Sequence, residues 1–539
     1  MAGRYWLETL GCPKNQVDSD KLAGLLEAQG YLRASQPDKA EVVVVNTCAF
    51  IDKAREESVE AILQLAEVRK DGARLVVTGC LAERYGDELA GALPEVDQVA
   101  GFGDWFLPGE VQLPRGPQAS PAPPPVRVPV PMAEPVPVAE PVPVGAPRLR
   151  RRSEAPAKAH DAGHLGSPGR LGRLGPLDRA APVNRGGPVG AISTVGDVSP
   201  VGTISPVGAI SPVGAISTVA DVGPAAQVLP SFDLLNLPRP PASAPWAYVK
   251  IAEGCDRRCG FCAIPSFRGP QRSRASTAVL AEVEALGAQE VVLVAQDLVS
   301  WGRDASGTGA KAEGRLVDLF GEVRKRVERV RLLYLYPSGL SDELVEAIGQ
   351  SGCPYFDLSL QHVSRPLLRR MRRFGDGERF LAKVARIRKS YPDAALRSSF
   401  IIGYPGETEQ DHDNLLAFLK EAQLDWAGFF QFSPEEGTFA AGLDGHVPSW
   451  LVAERMRECS ELQDSVTFAR RRDLVGSIYR VLVDAPGEAR GHREAPEIDG
   501  VVRVPRKLPI GAWAEVRITG TVGPDLVGRS VADRVKERS

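Results

Sequence analysis

The stretch WAYVKIAEGCDRRCGFC, residues 246–262, decides the fold of the central region of this chain. It predicts a buried β-strand that ends in a loop, and the loop carries Cys255, Cys259 and Cys262 in the spacing C-x3-C-x2-C. Three thiolates this close can bind three irons of a [4Fe–4S] cluster and leave the fourth iron without a protein ligand. Zinc sites usually show paired C-x2-C motifs or nearby histidines, and this stretch has neither. The spacing therefore favours an iron–sulfur cluster whose open iron can bind a substrate or a cofactor.

Five further strand candidates follow the first one, with helical patterns between them. In chain order the six candidates are WAYVKIAEG, EVVLVAQD, RVRLLYLYP, YFDLSLQH, LRSSFIIGYPGE and WAGFFQFSPEEG. Six strand–helix units in series predict an incomplete (βα)6 barrel of the TIM kind over residues 244–470. Active sites in such barrels lie at the carboxyl ends of the strands, which is where the cysteine loop begins.

Residues 1–110 show the same alternation on a smaller scale and predict a parallel α/β domain. Cys12, Cys48 and Cys80 each follow one strand candidate of this domain. Ligands of open parallel sheets bind beyond the carboxyl ends of the strands, so thiols far apart in sequence can converge there. Spacing alone leaves a structural role and a metal-binding role open, and the matching positions after three strands favour metal binding.

The two remaining regions differ from these in composition. Residues 111–243 are rich in proline and glycine and contain hexapeptide repeats such as SPVGAI, so we expect a long disordered insert that buries too little surface to offset ordering. A hexapeptide β-helix is the alternative, but it needs more rungs than this repeat provides. Residues 471–539 alternate apolar and polar residues between turn residues and predict a small all-β barrel.

The whole chain has 539 residues, a formal net charge of -3 and a sequence pI of about 6.2. This balance predicts no dedicated nucleic-acid site. The sequence has no apolar run near the roughly 18 residues of a membrane span, and its first residues lack the apolar core of a signal peptide. We therefore expect a cytoplasmic protein without a membrane partner, in which clustered thiols stay reduced and bind metal.

The cysteine loop resembles the signature of the radical SAM enzymes, in which an aromatic residue, here Phe261, precedes the last cysteine. The resemblance implies that S-adenosylmethionine binds the open iron of the cluster on Cys255, Cys259 and Cys262, which makes these cysteines catalytic. It further implies that reduction then cleaves S-adenosylmethionine to methionine and a 5′-deoxyadenosyl radical.

The resemblance also places the cofactor near Gly403, Pro405 and Gly406 in the motif IIGYPGE, although an ordinary turn after a strand is the alternative. Gln296 in VAQD and Gln361 in SLQH each lie at the end of a strand candidate. For these two side chains, contact with the cofactor or substrate and simple capping of the strand end stay equally open.

The N-terminal cysteines and the order of the regions resemble the methylthiotransferase family of radical SAM enzymes, and within it the ribosomal-protein, or RimO, type. The motifs that carry this resemblance are GCPKNQVDSD, NTCAFIDKAREES, GCLAERYGDEL, KIAEGCDRRCGFCAIPSFRGPQRSR, SLQHVS, GYPGETE, QFSPEEGT and APEIDG. The resemblance implies that Cys12, Cys48 and Cys80 hold a second [4Fe–4S] cluster, which carries the sulfur. It also implies a TRAM-like C-terminal barrel that recognises the target.

For such an enzyme the expected reaction adds a methylthio group to the β-carbon of an aspartate in small-subunit ribosomal protein S-twelve. The expected partners are this protein, within the ribosome or its assembly intermediates, and an electron donor such as flavodoxin or ferredoxin.

Two other functions stay open at this point. The sister enzymes modify N6-isopentenyladenosine in tRNA and normally need a basic surface, whereas residues 472–539 contain 12 basic and 10 acidic residues, which favours a protein target. A non-enzymatic iron–sulfur scaffold or redox sensor would hold two clusters without cleaving S-adenosylmethionine, but it has no need of a six-unit barrel.

The residues around the motifs carry less information. Arg268, Arg272 and Arg274 follow the cysteine loop and either bind substrate acids or form a solvated face. Cys353 and Cys459 belong to neither cysteine trio, and we interpret them as buried or incidental. The insert departs from the family pattern, and it puts in doubt only how the N-terminal domain docks on the barrel.

Overall fold

The computed structural model of the chain describes residues 3–102, 104, 233–304 and 315–531. Most of the predicted insert, including its hexapeptide repeats and its predicted disorder, lies outside the described residues. The last residues of that predicted insert are described, and they pack against the N-terminal domain: Leu235 is buried, and its carbonyl accepts a hydrogen bond from Lys21. All described residues belong to one unit of the fold.

The N-terminal domain is a five-stranded parallel sheet with three helices. Its strands are β1 (Arg4–Thr9), β2 (Leu32–Arg33), β3 (Val42–Thr47), β4 (Arg74–Gly79) and β5 (Gln98–Val99), and its helices are α1 (Pro13–Ala28), α2 (Asp52–Val68) and α3 (Cys80–Ala92). The central strand β3, VVVVNT, is buried at every position, as expected of a strand covered on both faces. The strand order is β2-β1-β3-β4-β5, so the chain adds β2 on one side of β1 and the later strands on the other side. Open α/β sheets bind ligands at such a switch point, which here lies between β1 and β3.

The central region is an open barrel of six parallel strands, as predicted. Its strands are β6 (Trp246–Lys250), β9 (Glu290–Val294), β10 (Arg329–Leu332), β11 (Tyr355–Gln361), β12 (Ala395–Ile402) and β13 (Trp426–Gln431), and a short antiparallel pair, β7 (Ala252–Glu253) and β8 (Arg272–Ser273), flanks the cysteine loop. Parallel pairing joins β6, β9 and β10 into one sheet and β11, β12 and β13 into another. A single bridge between Leu335 and Leu358 connects the two sheets.

The helices of the central region are α4 (Ile264–Arg268), α5 (Ser276–Leu286), α6 (Leu316–Arg324), α7 (Asp342–Gly349), α8 (Arg365–Arg370), α9 (Gly377–Ser390), α10 (Glu409–Ala422) and α11 (Ser449–Arg472). Side chains alternate between two cores along the barrel strands: Val249 packs in the core shared with the helices, and Tyr248 packs in the barrel interior. The interior core also contains Val17 of α1 and Ala495 of the C-terminal region, so both flanking domains contribute to filling the barrel.

The C-terminal region is a small closed β-barrel, as predicted. Its strands are β14 (Ile478–Ala485), β15 (Glu488–Arg490), β16 (Val502–Arg503), β17 (Trp513–Val522) and β18 (Asp525–Ser530), in the order β14-β15-β16-β18-β17. The loop between β15 and β16 fastens it to the amino ends of the central strands: Tyr355 donates a 2.6 Å hydrogen bond to Asp499, and Trp426 donates one of 2.7 Å to the Arg493 carbonyl. Among the described helices, none combines the length and apolarity that crossing a membrane requires.

A buried carboxylate at the end of β13 docks the N-terminal domain on the barrel. Glu435 is 3% exposed and accepts hydrogen bonds of 2.5 Å from both Arg55 of α2 and Arg84 of α3. Ser433 supports the same contact, because its hydroxyl donates to Asp52 at 2.8 Å. The motif QFSPEEGT therefore acts in domain docking.

The first prediction concerns the stability contributed by a glycine at the end of β4. Gly79 has φ +94°, and an added Cβ would come within 2.6 Å of the Thr47 backbone nitrogen. We expect Gly79→Ala to lower the free energy of unfolding by about 2–4 kcal/mol, because both the backbone angle and the neighbouring strand resist the methyl group. Urea denaturation measures the change. The control is Gly91→Ala, at an open helical position of α3, which should raise stability by about 0.5–1 kcal/mol. Equal effects of the two substitutions would contradict this explanation.

The second prediction concerns the stability contributed by the Glu435 docking contact. Glu435→Gln leaves Arg55 and Arg84 without their shared carboxylate, so we expect roughly 3 kcal/mol of destabilisation in the same assay. The neighbouring Glu436 is exposed and provides a matched control, since Glu436→Gln should change stability by less than about 0.5 kcal/mol. A Glu435→Gln protein as stable as this control would show that the contact does not hold the domains together.

Candidate functional site

The three N-terminal cysteines lie at the carboxyl edge of their sheet. Cys12 immediately precedes α1, Cys48 follows β3, and Cys80 is the first residue of α3. Their thiols are free, and Gly11 packs so closely on Cys48 that an added Cβ would come within 3.0 Å of its Sγ. Burial, together with the nearby Cys12 and Cys80 thiolates, raises the pKa of the Cys48 thiol to about 12. The structure thus brings together three thiols that are far apart in sequence.

Two residues of the motif GCPKNQVDSD shape this cysteine site. The Asn15 amide donates 2.9 Å hydrogen bonds to the carbonyls of Leu10 and Thr47, which ties the ends of β1 and β3 together. Burial alone would raise the pKa of Cys12, but the Lys14 ammonium and a backbone N–H bond from Asn15 lower it below its usual value. Neither residue was predicted as a site residue from the sequence, although both lie in one of the motifs quoted above.

The other cysteine trio lies in a tightly held loop after β7. Within it, the Cys262 N–H donates to the Cys259 carbonyl at 3.2 Å. The Gly260 N–H donates to the Met371 carbonyl at 2.9 Å, and the Gly260 carbonyl accepts from the Ala440 N–H at 2.8 Å. Burial raises the pKa of Cys255 to about 11 and that of Cys262 to about 12, and the mutual proximity of the thiols adds to both effects. This trio is therefore held by the barrel on two sides.

Each trio fits a [4Fe–4S] cluster with one open iron. In the part of the chain that the structure describes, no three His, Cys, Asp or Glu side chains are placed to hold a single metal ion. A cluster is wider than one ion, because each thiolate binds a different iron. Each trio offers three free thiols, and the remaining two cysteines, Cys353 and Cys459, are buried in other clusters of the core. The donor sets thus match the predicted group in number and chemistry.

Arg268 connects the two trios through a buried charged cluster. It is the last residue of α4, which begins just after Cys262, and its guanidinium donates to Cys80 Sγ at 3.0 Å. It also pairs with Asp18 of α1 at 3.0 Å and with Glu253 beside the cysteine loop at 3.1 Å. Burial would raise the pKa of Glu253, but the charge of Arg268, and then that of Lys250, lowers it.

The predicted alternative of a solvated face is wrong for two of the three arginines after the loop. Arg268 is 8% exposed, because it extends into the interface with the N-terminal domain, and Arg274 is 4% exposed, because it packs against α5. Arg274 pairs there with Glu282 at 2.7 Å. Arg272 is half-buried and pairs with Asp233 at 3.3 Å.

The two glutamines that the sequence singled out lie at the ends of their strands. Gln296 donates a 2.6 Å hydrogen bond to Glu253, so it belongs to the charged cluster around Arg268. Gln361 is half-buried, has φ +70° and ends β11 at an irregularity in its pairing with β12. Their contact with a cofactor stays a prediction.

The loop that contains Gly403, Pro405 and Gly406 contacts the cysteine loop through Tyr404, whose hydroxyl would lie 3.1 Å from a Cβ added at Gly260. Gly403 has φ +80°, and an added Cβ would lie 2.5 Å from the Val452 side chain, so close packing by α11 explains this glycine. Between the two glycines, Tyr404 donates a 3.1 Å hydrogen bond to the Arg370 carbonyl. Phe261, inside the cysteine loop, is half-buried and packs on the barrel core. For Phe261, as for this loop, contact with the cofactor stays a prediction.

Tyr336 was missed by sequence reasoning. Its ring lies 4.0 Å from the Arg257 guanidinium and 4.1 Å from that of Arg373. Arg373 in turn donates to Cys259 Sγ at 3.4 Å. No periodic pattern connects these residues, because their contact depends on the closure of the barrel.

Protein-family models match each of the three described regions. Family models match residues 4–101 (Uncharacterized protein family UPF0004), residues 249–419 (Radical SAM superfamily) and residues 475–531 (TRAM domain). Two solved structures are remotely similar. They are the cobalamin-dependent S-adenosylmethionine radical enzyme OxsB (TM-score 0.38, 10% identity, 86% of this chain and 56% of that one) and coproporphyrinogen III oxidase HemN from Escherichia coli (0.31, 14%, 53% and 69%).

Similarity to curated proteins extends over nearly the whole chain. Proteins named ribosomal protein uS12 methylthiotransferase RimO from Cutibacterium acnes and Streptomyces coelicolor are both 37% identical, covering 97% of this chain and 97% and 95% of their own lengths. The namesake from Moorella thermoacetica is 36% identical over 95% of each chain. At this identity and coverage, the chain belongs to the RimO family of ribosomal protein uS12 methylthiotransferases.

Proposed function

We propose that this protein is a radical S-adenosylmethionine enzyme that adds a methylthio group to an aspartate of ribosomal protein uS12. The observation that carries the proposal is the pairing of two sites of three free cysteines through one buried arginine, in a chain of this family. The tRNA reaction of the sister enzymes and a non-enzymatic scaffold are not favoured, since the full-length relatives above carry the ribosomal-protein name.

In this proposal Cys255, Cys259 and Cys262 hold the cluster that binds S-adenosylmethionine, and the N-terminal trio holds the second cluster. Bound in these sites, the clusters and S-adenosylmethionine supply the electron, the hydrogen abstraction and the methylthio group. The protein supplies placement, because Arg268 and Glu435 hold the N-terminal domain, with its cysteine trio, against the carboxyl end of the barrel.

The side chain best placed to receive an acidic target is Lys14. Its ammonium is half-buried beside Cys12 and lies 3.8 Å from the centre of the Tyr334 ring. Among the described residues it has no carboxylate within ion-pair distance, although most other cations in this region are paired. A cation over an aromatic face can still bind a carboxylate. We therefore infer that Lys14 binds the target aspartate.

The cellular location and the electron donor follow from the same proposal. A ribosomal substrate supports a cytoplasmic location, and reductive chemistry requires a one-electron donor such as flavodoxin or ferredoxin. Whether uS12 is modified alone or within the small ribosomal subunit is decided by offering both forms to the purified enzyme.

Intact-mass spectrometry of uS12, from cells with and without the gene, tests the proposed function. We expect uS12 to carry one methylthio group on one aspartate only when the gene is present. An unchanged mass, with a methylthio nucleoside lost from tRNA instead, would overturn the choice of substrate.

The division of labour between the cysteine trios generates the third prediction. A variant in which alanine replaces Cys12, Cys48 and Cys80 should lose roughly half of its iron and all methylthiolation activity. It should still cleave S-adenosylmethionine when dithionite is supplied as the reductant. The corresponding variant at Cys255, Cys259 and Cys262 should lose the cleavage. Cys353→Ala, which removes a buried cysteine outside both trios, should keep the full iron content. If the N-terminal variant kept all of its iron, the second site would be excluded.

The fourth prediction concerns Lys14. Lys14→Met should lower kcat/KM for uS12 by at least about tenfold through KM, because one charge-assisted contact to the target is lost. Cleavage of S-adenosylmethionine without target should not change. Lys14→Arg should restore part of the loss, and Lys53→Met, at an exposed lysine of α2, should have no effect. A defect equal in both reactions would assign Lys14 to the cofactor instead.

A further inference from the structure

One guanidinium lies against one cysteine sulfur in each trio. Arg268 donates to Cys80 Sγ at 3.0 Å, and Arg373 donates to Cys259 Sγ at 3.4 Å. Both arginines are buried, with 8% and 6% of their surface exposed, so water does not screen either contact. Hydrogen bonds with an ionised donor are stronger than those between neutral groups, especially where the local dielectric is low.

Arg268 is held rigidly. Asp18 and Glu253 pair with Nη1, while Asn15 Oδ1 accepts from Nη2 at 2.8 Å. The Phe102 ring covers its face at 4.1 Å. Because these partners fix the guanidinium from several sides, Nη2 stays directed at the Cys80 sulfur.

Arg373 is held by different means. It donates to the Ser359 carbonyl and stacks on the Tyr336 ring at 4.1 Å, and no carboxylate among the described residues pairs with it. The two arginines therefore belong to separate networks. Asp18 lies in the N-terminal domain and Ser359 on barrel strand β11, so a change at one arginine leaves the other in place.

We propose that Arg268 and Arg373 are positioning residues that set the reduction potentials of the two clusters separately. Arg268 raises the potential of the cluster on the N-terminal trio, and Arg373 raises that of the cluster on Cys255, Cys259 and Cys262. The inference rests on the proposed function, because it requires both clusters.

The physical reason is the charge of the reduced state. A cluster gains one negative charge when it takes up an electron, and a positive donor on a ligand sulfur stabilises that charge. Because the two donors are independent, the reduction potential of each cluster can be set separately, and the cluster with the higher potential is reduced first. The charges around Arg268 balance, because Lys250 and Arg268 pair with Asp18 and Glu253, and this leaves the hydrogen bond as the main local influence on Cys80.

Potentiometric titration of the anaerobically reconstituted full-length protein, followed by electron paramagnetic resonance, tests the proposal. Arg268→Gln should make reduction of the N-terminal cluster about tenfold less favourable, a shift of about 59 mV to lower potential, and leave the other cluster unchanged. Arg373→Gln should lower only the potential of the other cluster, and by less, because its contact is longer. Single-cluster variants that lack one trio assign each signal.

Two further variants separate the hydrogen bond from general effects. Arg268→Gln combined with Asp18→Asn keeps the net charge of the buried cluster, and we expect a smaller shift in the same direction, since only the hydrogen bond to Cys80 is then missing. Arg272→Gln removes a nearby arginine that contacts no cysteine, and it should shift neither potential. If Arg268→Gln does not fold, Arg268→Lys keeps the charge, cannot span the same contacts, and should shift the N-terminal potential in the same direction.

Unchanged potentials in the folded variants, or equal shifts of both clusters, would overturn the inference. Iron content and uS12 modification by the unsubstituted protein, measured on the same preparation, separate this result from the proposed function. Two clusters and active methylthiolation with unmoved potentials would reject the inference alone. A protein that binds only one cluster would reject both.

Discussion

The arrangement of this protein depends on four buried charges at the carboxyl end of the barrel. Lys250 and Arg268 lie on the barrel side and pair with Asp18 and Glu253, and only Asp18 comes from the N-terminal domain. Such a cluster is stable only when it is complete, since the loss of one partner leaves an uncompensated charge away from water. The cluster therefore specifies one docking position for the N-terminal domain, and with it the approach of the two cysteine sites.

This constraint explains how the fold accommodates its long insertion. The contacts that dock the N-terminal domain join residues before the insert to residues after it, as in the pairs of Glu435 with Arg55 and Arg84. Lengthening a connection between two fixed ends costs little extra entropy, because the cost grows only with the logarithm of its length. The doubt that the insert raised about docking is thus answered by side chains that lie outside it.

The elements that sequence could predict were those with a local signal. Strand periodicity located the six barrel strands, and a cysteine directly after each of three strands indicated convergence, because parallel strands end at one edge. Arg268 had no such signal. Its partners Asp18 and Asn15 lie some 250 residues earlier, and only the assembled interface distinguishes a buried bridge from a solvated arginine. The same limit applies to Gly403, whose close contact with Val452 depends on the path of α11.

The two flanking domains use opposite ends of the central strands, and this separates their roles. The C-terminal region reaches the amino ends, where Asp499 meets Tyr355 and Arg490 pairs with Glu290 at 3.0 Å. The N-terminal domain covers the carboxyl ends, where barrel enzymes carry out their chemistry. Placed at the far end, the C-terminal barrel closes the bottom of the central barrel and stabilises the strands that carry the cysteine loop. From this position the C-terminal barrel can contact a bound target directly only if that target reaches both ends of the central barrel.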